Sequence, residues 1–170
     1  FVKDASGNVG IGNSDPTAIL QATLSSSSTG IAISGAFPTL ALRDSSGTAN
    51  TGSIGQYDSN TYLFNNSAGS LIFGTGNNER ARIDSAGNVG LAVTPSSWGS
   101  AYKVIDIGAS YGLYNSAGGG NGGLSLNAYH NGTSWIYKTT NAASRFEQSV
   151  FGGMSWHVAP SGTAGNAISF

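Results

Sequence analysis

The phrase Asp4-Ala-Ser-Gly-Asn-Val-Gly10 returns later in the chain as Asp84-Ser-Ala-Gly-Asn-Val-Gly90. Asp-x-x-Gly-Asn is the spelling of a tight turn. The aspartate side chain can hydrogen-bond its own backbone, glycine supplies a positive φ, and asparagine tolerates the left-handed region. Valine then restarts an extended segment. Each copy therefore reads as strand, turn, strand. The match runs on to Ile11 and Leu91, and to Pro16 and Pro95 with a slip of one residue. Two copies do not make a solenoid, but they point to a module that recurs along a longer chain.

The rest of the chain obeys the same punctuation. Helical periodicity is nearly absent. The exception is one short helical turn expected around Ile19-Leu20 and Leu24, after the capping pair Asp15-Pro16. Elsewhere short runs stand between clusters of Gly, Ser, Asn and Asp, the signature of strands and turns. Strands are expected at Thr39–Arg43, Ser53–Tyr57, Thr61–Asn65, Ser70–Phe73, Arg80–Asp84 and Lys103–Ile107. Further ones are expected at Gly123–Tyr129, Ser134–Thr139, Arg145–Val150 and Met154–Val158. Two alternate with period two: Trp135 and Tyr137 against Ser134, Ile136 and Lys138, and Phe146, Gln148 and Val150 against Arg145, Glu147 and Ser149. Ser25–Gly30 and Gly118–Gly123 read as flexible loops.

This predicts an all-β chain of short strands and tight turns, repetitive in design. Its expected parts are a partial turn module (1–29), a β module ending in the second turn phrase (30–100) and a further β module (101–170). With 26 glycines and only 9% charged residues, large apolar side chains are thinly spread. A lone globule needs a dense core to offset chain entropy. Neighbouring copies are therefore expected to supply buried surface.

Several function classes drop away. The net charge of −1, with Lys and Arg dispersed, offers no basic stripe for a phosphate backbone, so nucleic acid is not an expected partner. There is no cysteine, hence no disulfide or thiolate site. No apolar run nears the roughly 20 residues of a membrane helix, and no membrane insertion is expected. Phe1-Val2-Lys3 carries no initiating Met and no leader pattern, which reads as a piece of something longer.

Chemistry-bearing motifs are weak. Asp4-x-Ser6-x-Asn8 has the odd-position spacing of a calcium loop but lacks the closing Glu, and its second copy loses the middle ligand. A hairpin turn is the simpler reading, and no metal or cofactor is expected. Gly108-Ala-Ser110-Tyr-Gly112 spells a nucleophile elbow without the following helix that the elbow needs. His130 and His157, the only histidines, read as strand-surface or interface residues. Among the eight acids, those beside Ser, Gly or Asn are turn residues. Glu79 has Arg80 and Arg82 nearby and Glu147 has Arg145, which suggests ion pairs, and Asp106 remains. Phosphate-binding loops are missing. No catalytic residue, and no enzymatic activity, is expected.

Aromatics carry the remaining signal. Tyr129-His-Asn-Gly-Thr-Ser-Trp-Ile-Tyr137 is a hairpin around Asn131-Gly132. Tyr129, His130, Asn131, Trp135 and Tyr137 are the candidate contact residues. Rings beside polar turn residues can stack on sugars, and they can equally be core or interface packing, which is the favoured reading.

The segment Asn78-Glu-Arg-Ala-Arg-Ile-Asp-Ser-Ala-Gly-Asn-Val-Gly90, followed by Thr94-Pro95-Ser96, resembles a phrase of phage tail-fibre and tailspike proteins. So does the first copy, Asp4 to Pro16, with Val9-Gly-Ile-Gly12, and so do Ser144–Gln148 and Ala159–Phe170. In the second copy Leu91-Ala92 replaces the usual Ile-Gly, so its exit from the turn is expected to differ. The resemblance covers less than half of the chain. It implies an elongated, intertwined homotrimeric fibre, located in a virion tail outside the cell. The implied partners are tail or baseplate proteins and a host surface glycan or protein. Glycan-cleaving domains and a self-cleaving chaperone occur in the family, but neither motif is found here. Asn65-Asn-Ser67 and Asn131-Gly-Thr133 spell glycosylation acceptors, read as accidental in such a protein. The alternatives are a bacterial or other cell-surface adhesin or filament subunit and, less favoured, a glycan depolymerase using Asp106 or Glu147.

Overall fold

In the computed structural model, residues 2–11, 14–15, 20–22, 39–42, 52–116 and 120–170 are described. Every regular element among them is a strand, as an all-β reading requires. The chain divides into two compact units, Phe1–Asn66 and Ser67–Phe170. The loop at Ser25–Gly30, most of the expected helical turn, and Gly118 and Gly119 of the second loop lie outside the described residues.

The first unit holds two three-stranded sheets. One is built from β1 (Val2–Lys3), β2 (Val9–Ile11) and β3 (Leu20–Ala22), the other from β4 (Thr39–Leu42), β5 (Gly52–Tyr57) and β6 (Asn60–Asn65). Leu20, expected in a helical turn, instead opens β3 and pairs in parallel with Val9. An open neighbour strand offered its backbone a ladder, and that outweighed a weak local helix signal.

The second unit is one eight-stranded mixed sheet with a hairpin beside it. Its strands are β7 (Leu71–Thr75), β8 (Asn78–Ile83), β9 (Val89–Leu91), β10 (Tyr102–Ile107), β11 (Tyr111–Ser116), β12 (Gly122–Leu126), β15 (Asn141–Gln148) and β16 (Met154–Gly162). They lie in the order β16-β15-β12-β11-β10-β9-β8-β7. The hairpin is β13 (Ala128–His130) and β14 (Trp135–Tyr137). The module boundary expected at residue 100 falls between β9 and β10, which pair within the one sheet.

The doubled phrase folds twice in the same way. Asp4 Oδ1 accepts from the Asn8 backbone nitrogen at 2.8 Å and Oδ2 from the Asn8 side chain at 3.0 Å; Asp84 and Asn88 repeat these at 2.8 and 3.1 Å. Gly7 and Gly87 sit at φ 89° and 82°. In both copies the strand leaving the turn then gains a parallel partner, β3 for β2 and β10 for β9. Ala92, in place of the usual glycine, holds φ 56°, and the matching Gly12 of the first copy lies outside the described residues.

Two other details depart from expectation. The strand expected over Gly123–Tyr129 breaks at Asn127, whose φ of 56° turns the chain out of the sheet into β13. Asn127 secures that exit with its side chain, donating to the carbonyls of Thr139, Asn141 and Ala142 and accepting from the Thr139 backbone nitrogen at 2.6 Å. Strand β11 was not among the expected strands, and it pairs with β10 on one side and β12 on the other.

Cross-strand partners share a face, so the registers separate two sides of the large sheet. Val104, Asp106, Gly112, Tyr114, Ser125 and Arg145 lie on the side covered by the 92–101 segment and the hairpin. The other side carries one row that crosses all eight strands: Leu71, Ile83, Val89, Ile105, Leu113, Leu124, Phe146 and Trp156. Beside it runs Phe73, Ala81, Leu91, Ile107, Tyr111, Leu126, Ser144 and Val158. Trp156 and Val158 are 79% and 77% exposed. The period-two pattern of β15 is thus inverted against the usual rule: Arg145 and Glu147 face the covered side, and Phe146 faces the open one.

Candidate functional site

The hairpin that carries the candidate contact residues is set by its turn. Asn131 Oδ1 accepts from the backbone nitrogens of Thr133 and Ser134, each at 2.9 Å. Gly132 takes φ 105°. Its Cα also packs on Gly99, where a Cβ on Gly99 would come within 2.5 Å of it. The Gly99 nitrogen donates to the His130 carbonyl at 2.8 Å, which ties the hairpin to the 92–101 segment.

Beneath the turn, rings dominate. Trp98 is the centre, with Tyr114 stacked at 5.8 Å and Trp135 and Tyr129 edge-on, each at 6.1 Å. Trp135 also meets Tyr114, His130 and Phe170. The Arg145 guanidinium lies 4.8 Å from the Trp135 ring and 5.2 Å from that of Phe170, and it pairs with Glu147. Tyr137 is buried in a second cluster with Ala128, Ala143 and Ala159, and its hydroxyl donates to the Pro160 carbonyl at 2.7 Å. Of the five candidates, Asn131 is exposed, Tyr129, His130 and Trp135 are half-buried, and Tyr137 is interior. Ile136, which the alternation placed opposite Trp135 and Tyr137, is buried too, and the C-terminal segment pairs with its backbone through the Ile136–Ala167 bridge.

Asp106 is the feature that sequence reading left unassigned. It is fully buried in β10 and accepts from the Ser96 backbone nitrogen at 2.8 Å, from Trp98 Nε1 at 3.2 Å and from Lys138 Nζ at 2.7 Å. Its cross-strand neighbours are Gly90 and Gly112. A Cβ on Gly112 would come within 3.1 Å of the Trp98 ring, so the missing side chain makes room for the indole over the carboxylate. Burial pulls the Lys138 ammonium below its ordinary pKa, and the hydrogen bond to Asp106 opposes that shift. A sequence signal did exist: a lone carboxylate within the apolar run Val104-Ile-Asp-Ile107.

The remaining chemistry candidates are also engaged. Glu79 binds Arg82 at 2.5 Å, which lowers the carboxyl pKa and raises that of the guanidinium. Glu147 accepts from Asn121 at 3.0 Å as well as from Arg145. Asp106 and Glu147 are three strand spacings apart across the sheet and two residues apart along it, a backbone separation of roughly 16 Å, wider than the about 9.5 Å that an inverting glycosidase spans. Ser110 ends the turn between β10 and β11, and a strand follows it rather than a helix. Ser155 Oγ and His157 Nε2 lie 2.9 Å apart on β16, with no group of three or more metal-binding side chains among the described residues. Burial, and then Arg145, lower the pKa of His130. Burial raises that of Tyr114.

No protein family, curated protein or solved structure matches the chain.

Proposed function

We propose that this chain is a structural and receptor-binding segment of a phage tail fibre, assembled as a homotrimer that attaches to a host surface by non-covalent contacts. The observation that carries the reading is the uninterrupted apolar row across the eight-stranded sheet, which a single chain leaves open. Seven strand spacings make the row about 34 Å long, and with its neighbour row the stripe is about 14 Å wide. Its projected area, on the order of 500 Å², reaches the upper end of what isolated monomers expose. Three such stripes turned to a common axis would together withdraw on the order of 1,400 Å² from water, roughly 500 Å² for each of the three interfaces, so contacts elsewhere along the chain would have to add to it. The number three comes from the resemblance of the turn phrases to tail-fibre proteins.

The other side of the sheet supports the recognition half of the proposal. There the hairpin tip at Asn131 stays exposed over a rigid ring cluster, so three copies would present three tips, and weak contacts would add through multivalency. An adhesin or filament subunit would use the same face. The ion-paired, well-separated carboxylates lend no support to a depolymerase.

Light scattering tests assembly. The expected result is the mass of three chains, and Leu124→Glu in the middle of the stripe should give a folded monomer with an unchanged strand spectrum. A wild-type monomer at micromolar concentration would refute the trimer, and with it the fibre reading.

A further inference from the structure

The hairpin tip brings together the parts of a reaction that the chain could carry out on itself. An asparagine followed by glycine converts to a cyclic imide when the glycine nitrogen attacks the side-chain carbonyl carbon. Two things limit that step: the amide nitrogen must give up its proton, and the carbonyl oxygen must bear negative charge in the transition state. Both positions are served here. The Gly132 N–H donates to His130 Nδ1 at 3.1 Å, so the ring nitrogen that would take the proton already accepts its hydrogen bond. The Asn131 Oδ1 sits on the N–H groups of Thr133 and Ser134, each at 2.9 Å, as an oxyanion would sit on a pair of donors.

We propose that Asn131-Gly132 is a self-modification site, at which His130 acts as base and the Thr133 and Ser134 amides as oxyanion donors to convert Asn131 to aspartate and isoaspartate. The Gly132 nitrogen bonds to Asn131 Cγ, and its proton passes to His130 Nδ1. The imidazolium returns that proton to the side-chain nitrogen, which leaves as ammonia as its bond to Cγ breaks. Water then adds to one of the two imide carbonyls and opens the ring. The sum is one water consumed and one ammonia released, with no oxidant or second substrate.

The surroundings suit this chemistry. The base must be neutral, and both influences on His130, its partial burial and the Arg145 charge from β15, favour the neutral ring. Trp135 from β14 meets the ring at a right angle at 5.4 Å and Tyr102 from β10 lies tilted against it at 5.0 Å, and together they hold its orientation. Of these neighbours, Arg145 is the charged one and Tyr102 the other titratable one. Asn131, Gly132 and Thr133 are exposed, so water reaches the imide. The hairpin lies across the sheet from the apolar stripe, so assembly through the stripe would leave the tip open. The product places a carboxylate on a neutral tip, and isoaspartate adds a methylene to the backbone of a two-strand turn. The inference does not depend on the fibre reading and stands or falls separately from it.

The test incubates the full chain at neutral pH beside a peptide of residues 128–137, following ammonia release, intact mass and isoaspartate by peptide mapping. A positioned base contributes about 10²–10⁴-fold in catalysis. Even a small part of that should make the folded chain react at least roughly tenfold faster than the peptide. His130→Gln should slow the folded chain several-fold toward the peptide rate while its strand spectrum is retained. A folded chain that reacts no faster than the peptide would overturn the proposal, since the turn would then be holding the carbonyl away from the nitrogen. An unchanged rate in the Gln variant would overturn it as well. If that variant fails to fold, the wild-type pH profile decides: a plateau above the histidine pKa supports the base, and a profile parallel to the peptide's refutes it.

Discussion

Replacing Asp106 by Asn removes one charge from the interior and changes almost nothing in shape. The carboxylate serves three donors: the Ser96 amide, the Trp98 indole and the Lys138 ammonium. The side chains of Lys138 and Asp106 are 5% and 1% exposed. After the substitution Lys138 keeps the Tyr111 carbonyl at 3.2 Å and no counter-ion among the described residues. Removing one partner of a buried pair costs about 3–5 kcal/mol, because the other charge stays behind without compensation. Against a typical stability of about 5–15 kcal/mol, such a loss is severe. Urea denaturation of the wild type, Asp106→Asn, Lys138→Met and the double variant forms the cycle. Lys138→Met removes the stranded charge, so the double variant should be more stable than the sum of the single losses implies, by about 2 kcal/mol. Additive losses, or a cost under about 1 kcal/mol for Asp106→Asn, would mean that Lys138 is not left as an uncompensated buried charge. Water or a local rearrangement would then be compensating the lysine.

Two further outcomes follow from the backbone. Ala92 sits at φ 56°, a conformation that costs a residue with a Cβ about 1–2 kcal/mol. Ala92→Gly should therefore stabilise the chain by roughly 0.5–1 kcal/mol after the entropy lost by glycine, read as a higher denaturation midpoint, and a lower midpoint would contradict this. At Gly123, a Cβ would lie 1.9 Å from the Phe146 carbonyl oxygen, a backbone atom that cannot swing aside. Gly123→Ala should force β12 and β15 apart at a cost of about 1–3 kcal/mol or more, visible as faster amide exchange in both strands, and unaltered exchange would show that the sheet absorbs the methyl.

What the sequence by itself determined is local. The Asp-x-x-Gly-Asn spelling dictated both turns, because Asp, Gly and Asn each supply a bond or a φ within the same five residues. Asn131-Gly132 dictated the hairpin for the same reason, and the Glu79–Arg82 and Glu147–Arg145 pairs followed from neighbours on one strand. Leu20 lay beyond such reasoning, since its strand exists only because β2 offers a ladder. Tertiary structure decided which face of each strand is covered. Period two sorts residues into two sets but does not say which set meets a neighbour, and in β15 the charged set went inside because Trp135 and Phe170 arrive to hold Arg145. Trp98, which lies over Asp106 where Gly112 leaves room for the indole, was invisible for the same reason: the contacts that give it meaning come from residues far along the chain, joined only when eight strands fall into register.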